Sequence, residues 1–198
     1  MLRRRARLRL ETPRLELRPP VMADHSAWAQ LRRDSREFLE AWEPSWSRDH
    51  LSRTAFRNRV YWARRLIADG KGAPLFLFSR GGAAPAGALL GALTLDNVRR
   101  GPSQSASIGY WIGAAHAGHG YMTEAVETVR DHAFGALGLS RLEAACLPEN
   151  KASRALLERS GFKYEGVAQS YLQINGRWRT HVLYAALRAD RRGRTAEG

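Results

Sequence analysis

The sequence predicts one α+β domain built on a mixed sheet. Three observations carry that prediction. The 198-residue chain is the size of a single domain able to bury about two thirds of its surface, and it shows neither internal repeats nor a linker. Short apolar runs of strand length alternate with stretches of helical period in the order β, α, α, β, β, β, α, β, α, β, β. A glycine turn, Gly113 to Thr123 (G-A-A-H-A-G-H-G-Y-M-T), joins a strand directly to a helix, and the right-handed crossover rule then lays the next strand parallel to the first. The domain is expected to span residues 1–188, with a frayed basic tail at 189–198.

Each element has a local reason. Met1 to Arg9 carries five arginines, as a solvated or nucleic-acid-facing arm would, and its second half alternates in a way that extends a strand. Thr12 to Arg18 places Leu15 and Leu17 at period two and is closed by Pro19-Pro20, hence a short strand. Asp24 can cap a helix with Trp28 and Leu31 on one face, ending near Arg36. Phe38 to Trp46 (F-L-E-A-W-E-P-S-W) crowds aromatic residues around a proline and predicts an ordered loop. Trp42 and Trp46 either staple that loop to the core or line the mouth of a cleft. His50 to Gly70 reads as a long helix, with Phe56 and Val60 inward and Arg53, Arg57, Arg59, Arg64 and Arg65 on the opposite face.

The second half of the chain is strand-rich. Pro74 to Ser79 and Gly87 to Val98 form a hairpin across a Gly-Gly-Ala-Ala-Pro loop. Ser105 to Ile112 is the strand before the glycine turn, and Met122 to Leu137 is the helix after it, closed by Gly138. Ser140 to Leu147 is the parallel strand. Lys151 to Ser160 is a short helix stopped by Gly161, with Asn150 and Ser153 in capping positions. Phe162 to Gln173 and Arg177 to Leu187 flank Asn175-Gly176, a strong type I′ hairpin signal.

Composition narrows the setting. The net charge is +13, and lysine occurs only at Lys71, Lys151 and Lys163. Such an excess favours polyanionic surroundings such as RNA, a ribosome or the phosphates of a nucleotide cofactor, although GC-rich coding gives the same arginine bias. No run approaches the roughly 18 apolar residues of a membrane span, which points to the cytoplasm and no membrane partner. The single cysteine, Cys146, precludes an internal disulfide and offers no zinc cluster, so no metal is expected.

Within the glycine turn, Gly118 and Gly120 allow positive φ and close backbone approach, and the first N–H groups of the following helix lack partners of their own. Together they make an anion cradle suited to phosphate. Strand–glycine–helix corners are common, so the turn alone does not decide between a phosphate site and a structural bend.

The turn, the P-E-N-x-x-S segment and the Gly-Phe after it together resemble the GCN5-related N-acetyltransferases, whose acetyl-CoA pyrophosphate turn has the pattern Q/R-x-x-G-x-G/A. Here that window is Ala115 to Gly120, with Ala115 departing from the Gln or Arg of the pattern. Within the superfamily the chain resembles the bacterial ribosomal-protein-alanine N-acetyltransferases, most closely the branch acting on ribosomal protein S5. The resembling stretches include T-P-R-L-E-L-R, F-L-E-A-W-E-P, I-G-Y-W-I-G, G-H-G-Y-M-T-E-A, P-E-N-K-A-S and N-G-R-W-R-T-H-V-L.

The resemblance implies a GNAT-like domain in which two central parallel strands splay apart to admit pantetheine, with acetyl-CoA as co-substrate and a ribosomal-protein N-terminus as acceptor. It implies direct attack of the amine, without a covalent enzyme intermediate. Cofactor contacts would come from Trp111, Ile112, Gly113, His116, Gly118, His119, Gly120, Tyr121, Met122 and Thr123, and from Asn150 and Ser153 beyond their capping roles. The resemblance places Ser153 near the sulfur as a candidate proton donor to the thiolate, and Leu157, standing where many relatives carry a tyrosine, excludes a tyrosine acid at that site. Glu143 is either the general base or a paired strand carboxylate. Trp42, Glu43, Trp46, Tyr171 and His181 are candidates for holding the acceptor, while Trp178 is either core or acceptor-facing. A small-amine or antibiotic acetyltransferase of the same fold, or a basic ribosome- or RNA-binding module with a regulatory acetyl-CoA site, are the alternatives.

Overall fold

The computed structural model describes residues 8–189; the arginine run at 1–7 and the tail at 190–198 lie outside the described residues. Eight strands form one sheet: β1 (Leu10–Glu11), β2 (Leu15–Arg18), β3 (Ala73–Ser79), β4 (Leu89–Arg99), β5 (Ser105–Ile112), β6 (Arg141–Cys146), β7 (Lys163–Ile174) and β8 (Arg177–Leu187). Their order is β1-β2-β3-β4-β5-β6-β8-β7. Every neighbouring pair is antiparallel except β5 with β6. The helices are α1 (His25–Asp34), α2 (Arg36–Glu40), α3 (Arg53–Ala68), α4 (Tyr121–Phe134) and α5 (Lys151–Arg159).

Two cores, one on each face of the sheet, hold these layers together. The larger gathers Leu75 and Leu77 of β3 with Met122, Val126 and Val129 of α4 and Leu157 of α5. The smaller packs Phe76 and Phe78 of β3 against Trp28 of α1 and Phe56 and Val60 of α3. Strand β3 is buried along its whole length because alternate side chains enter opposite cores. Burying each of these large side chains stabilises the fold by about 1.5–3 kcal/mol.

Local differences from the sequence reading have local causes. The expected loop at 38–46 begins as α2, because Arg36 to Glu40 close one helical turn before the aromatic segment. Helix α3 starts at Arg53 rather than His50, since the Ser52 side chain accepts from the Ala55 N–H and caps it. Helix α4 ends at Phe134, three residues short of Leu137, with Gly135 as its C-cap. The 175–176 turn has φ of 45° at Asn175 and 76° at Gly176, as a type I′ hairpin requires. Trp178 is 65% exposed, which removes its core alternative.

Strand β5 pairs with β6 only from Ser105↔Arg141 to Ile108↔Ala144, yet it runs on to Ile112. Beyond Ile108 the parallel strands have parted and β5 stays bonded to β4 alone. That gap is the centre of the candidate site.

Candidate active site

At the end of β5 the chain makes one 3-10 turn, Ala114–His116, and then enters α4 through Gly118 and Gly120, whose φ values are 79° and 77°. Gly120 is the N-cap of α4, and no side chain caps this helix. Within the described residues the N–H groups from Gly118 to Thr123 have no acceptor, so a row of donors at a positive helix end is free for an anion. The Tyr121 and Met122 side chains are 2% and 6% exposed; they anchor the turn in the core, and only their N–H groups are available. Arg14 braces it from outside, donating to the His119 carbonyl at 2.9 Å and to Glu124 at 2.6 Å. His119 bonds the Ala117 carbonyl through Nδ1 and its ring stacks on Tyr121. His116 is pushed below the usual histidine range by partial burial and by His119. Ala115 is exposed.

Backbone alternation decides what faces the gap. The Gly113 N–H donates to the Leu90 carbonyl of β4, so the N–H of Ile112, one residue back, points the other way, toward the parted strand β6. On the α5 side of the gap the Tyr110 hydroxyl lies 2.8 Å from Ser153 Oγ. Burial pushes Tyr110 well above the ordinary phenol range, so it stays protonated. Asn150 Oδ1 accepts from the Ser153 N–H at 3.0 Å; the capping role is therefore real, and the Asn150 Nδ2 remains available. Cys146 closes β6 beside Ser153, its thiol pushed up chiefly by burial.

A second cluster lies across the sheet. Arg32, 4% exposed, grips both oxygens of Glu43 at 2.8 and 2.5 Å. Its guanidinium stacks on Trp46 at 4.2 Å and on Trp111 of β5 at 4.7 Å. Trp46 donates to Glu43 and stacks on His50. Burial first, then the charges of Arg32 and Arg59, depress His50 to about 4. The same loop reaches the far end of the sheet: the Asn175 N–H donates to the Glu43 carbonyl at 3.2 Å, and Ser45 Oγ donates to Asn175 Oδ1 at 3.2 Å. Loop 42–46 and the β7–β8 hairpin tip thus form one roof. On β8, Val182 and Tyr184 enter the α4-side core, so alternation turns His181 to the roofed face, where Tyr171 packs on it at 5.6 Å.

A family model for the GNAT acetyltransferase domain matches residues 14–163. The chain belongs to the GNAT acetyltransferase family. It is 33% identical to a probable N-acetyltransferase, YjcK, of Bacillus subtilis, over 88% of this chain and 94% of that one. It is 32% identical to the ribosomal protein uS5-alanine N-acetyltransferase of Escherichia coli, over 93% of each. Among solved structures, RimJ of Mycobacterium smegmatis in complex with CoA-disulfide superposes with a TM-score of 0.83 at 33% identity, covering 94% of this chain and 89% of that one.

As a GNAT domain the chain is an N-acetyltransferase with acetyl-CoA as co-substrate, and its own atoms fit that molecule. The free donors at Gly118 to Thr123 suit a pyrophosphate, with the Thr123 hydroxyl in the same first helical turn. The edge of β5 beyond Ile108, open where β6 has parted, and the Asn150 amide would offer hydrogen-bonding groups to a pantetheine arm. The GNAT site also sorts the sequence candidates. Of the two alternatives for Glu143, the structure shows the paired carboxylate: Oε2 accepts from Arg99 at 2.7 Å and Oε1 from Arg141 at 2.9 Å, within the segment where β5 and β6 are still joined. The Glu43 carboxylate is engaged by Arg32 and Trp46, and Trp46 staples the roof. Trp42 is half-buried in the same loop. Sequence reasoning missed Tyr110, Arg14 and Arg32. Tyr110 sits two residues after Ile108 on the core-facing phase of its strand, a spacing that could have flagged it; the partners of the two arginines come from distant segments.

Proposed function

We propose that this protein transfers the acetyl group of acetyl-CoA to the N-terminal α-amine of a ribosomal protein, with the alanine N-terminus of S5 as the first candidate. The observation that carries this reading is the near full-length similarity to the Escherichia coli enzyme of that activity. The roofed face agrees with it: Trp111 lies under the Arg32–Trp46 cluster, and Tyr171, partly exposed beside His181, offers a surface for an extended N-terminal peptide on the same side of the sheet.

Acetyl-CoA supplies an acetyl group activated as a thioester. The protein holds its pyrophosphate on the N–H row at Gly118 to Thr123 and offers the Ile112 N–H to the carbonyl oxygen on which negative charge develops. Ser153, hydrogen-bonded to the neutral Tyr110, holds a proton on the α5 side for the departing sulfur. The amine arrives from the opposite, roofed face. An α-amine of pKa about 8 is neutral in roughly a tenth of molecules at pH 7, whereas a lysine is neutral in well under a thousandth, so an N-terminal acceptor needs only modest assistance in losing its proton. Direct attack in a ternary complex follows, and no covalent enzyme intermediate is required: the buried, elevated thiol of Cys146 is a poor nucleophile.

The test is a steady-state assay with short peptides beginning Ala, Ser or an acetyl-blocked Ala, alongside spermidine and an aminoglycoside. Turnover of the Ala peptide above the amines is expected, with the modified protein identified by an N-terminal acetyl mark lost from cells lacking this gene product. Preferential turnover of the small amines would overturn the reading.

A further inference from the structure

The exposed face of α3 carries a feature that acetyl transfer does not use. The helix R-T-A-F-R-N-R-V-Y-W-A-R-R-L-I-A contains no acidic residue. Its inner side, Phe56, Val60 and Ala63, is buried, and Arg59 covers the Trp28 ring at 5.2 Å. The outer side presents Arg53, Arg57 and Arg64, all exposed and without a hydrogen bond or ion pair among the described residues. Several arginines elsewhere are tied down, among them Arg14 to Glu124, Arg32 to Glu43, Arg99 to Glu143 and Arg141 to Glu165. A coding bias toward arginine explains their number but not why unpaired guanidinium groups collect on one helix. Beside them on the helix stands an uncovered ring, Tyr61 at 68% exposure, while Trp62 at 41% lies further round.

We infer that this face docks on RNA, binding phosphates through Arg53, Arg57 and Arg64 and an unpaired base on Tyr61. Guanidinium groups suit the planar, two-point recognition of phosphate oxygens. An exposed ring set beside cations gives a stacking platform for an unpaired base, which an acidic protein partner would leave unused. At 1.5 Å per residue the helix spans about 24 Å, enough for several successive phosphates. Helix α3 packs in the same core as Trp28 and Phe76, so docked RNA lies on the acceptor side of the sheet, away from the acetyl-CoA turn. Naming ribosomal RNA as the source rests on the proposed function; the surface itself does not.

The test uses the full chain and a labelled RNA stem–loop with an unpaired loop, with polyglutamate of equal charge as the competing polyanion. Arg53→Gln/Arg57→Gln/Arg64→Gln should bind RNA about tenfold more weakly at low salt, with a salt dependence shallower by about 2 in log–log slope. Tyr61→Ala should lose preference for the looped over the fully paired RNA. Circular dichroism and acetylation of a short peptide should be unchanged in both variants. The inference fails if the wild-type chain does not bind the RNA, if the triple variant binds with unaltered affinity and slope, or if polyglutamate binds as tightly as RNA. An absence of peptide turnover by the wild type would count against the proposed function and leave this surface untouched.

Discussion

The two halves of the site are built by different means. The half proposed for acetyl-CoA is made of backbone: a row of free N–H groups from Gly118 to Thr123, a parted strand edge, and glycines at φ of 79° and 77°. The roofed half is made of side chains, with Arg32, Glu43, Trp46 and His50 interlocked over Trp111 and tied to the hairpin tip through Asn175. The first should tolerate side-chain changes and fail when the backbone is altered. The second should respond in the opposite way, and its losses should appear in acceptor binding and in stability.

The sharpest way to break that contrast is Gly120→Pro. Proline cannot adopt φ near +77° and removes a donor, so acetyl-CoA affinity measured by calorimetry should fall by more than about 100-fold, roughly the loss of two charge-assisted hydrogen bonds. Next, Ser153→Ala should lower kcat by about 10- to 100-fold while leaving the KM for the Ala peptide near its original value, and Tyr110→Phe should reproduce part of the loss. On the roofed side, Glu43→Gln leaves the buried Arg32 cation without its counter-charge. It should raise the peptide KM and destabilise the fold by about 2–4 kcal/mol in chemical denaturation, with acetyl-CoA affinity unchanged.

Acid separates the halves more gently. His50 titrates near 4 when folded and near 6.5 when unfolded. Its contribution to stability is complete above about 6.5 and is lost as the pH falls toward 4, because the unfolded chain takes up a proton the folded chain resists. Melting at pH 5 should therefore be lower than at pH 7.5 by about 1 kcal/mol equivalent after solvent screening, and His50→Gln should flatten that difference. The smallest effects are expected at the turn itself: His116→Ala and His119→Ala should each change acetyl-CoA affinity by less than about twofold. Losses from these histidines as large as that from Gly120→Pro would show that side chains, not backbone, grip the anion.

Much of this was readable from residue order. Leu15 and Leu17, Phe56 and Val60, and Asn175-Gly176 announce strand, helix and hairpin by local periodicity and turn chemistry, and the G-x-G before Tyr121 announces the cradle. Those signals are local because φ preferences, capping and amphipathic spacing act within a few residues. Glu143 shows the limit: its strand was evident, but whether it met the gap or Arg99 and Arg141 depended on residues more than forty positions away in the case of Arg99.

Residue order thus specifies most of the strands and helices, the glycine turn and the resemblance to the family, while it reads α2 as loop. It takes the packed fold to establish that β5 and β6 part after Ile108, that the Tyr110 hydroxyl rests on Ser153, that Arg32 claims Glu43, and that the 42–46 loop is tied to Asn175 of the hairpin tip. The difference is one of range. Backbone conformation is set by neighbours in the chain, whereas hydrogen bonds and charge pairing in a site are set by which distant segments the packed cores bring within about 3 Å of one another.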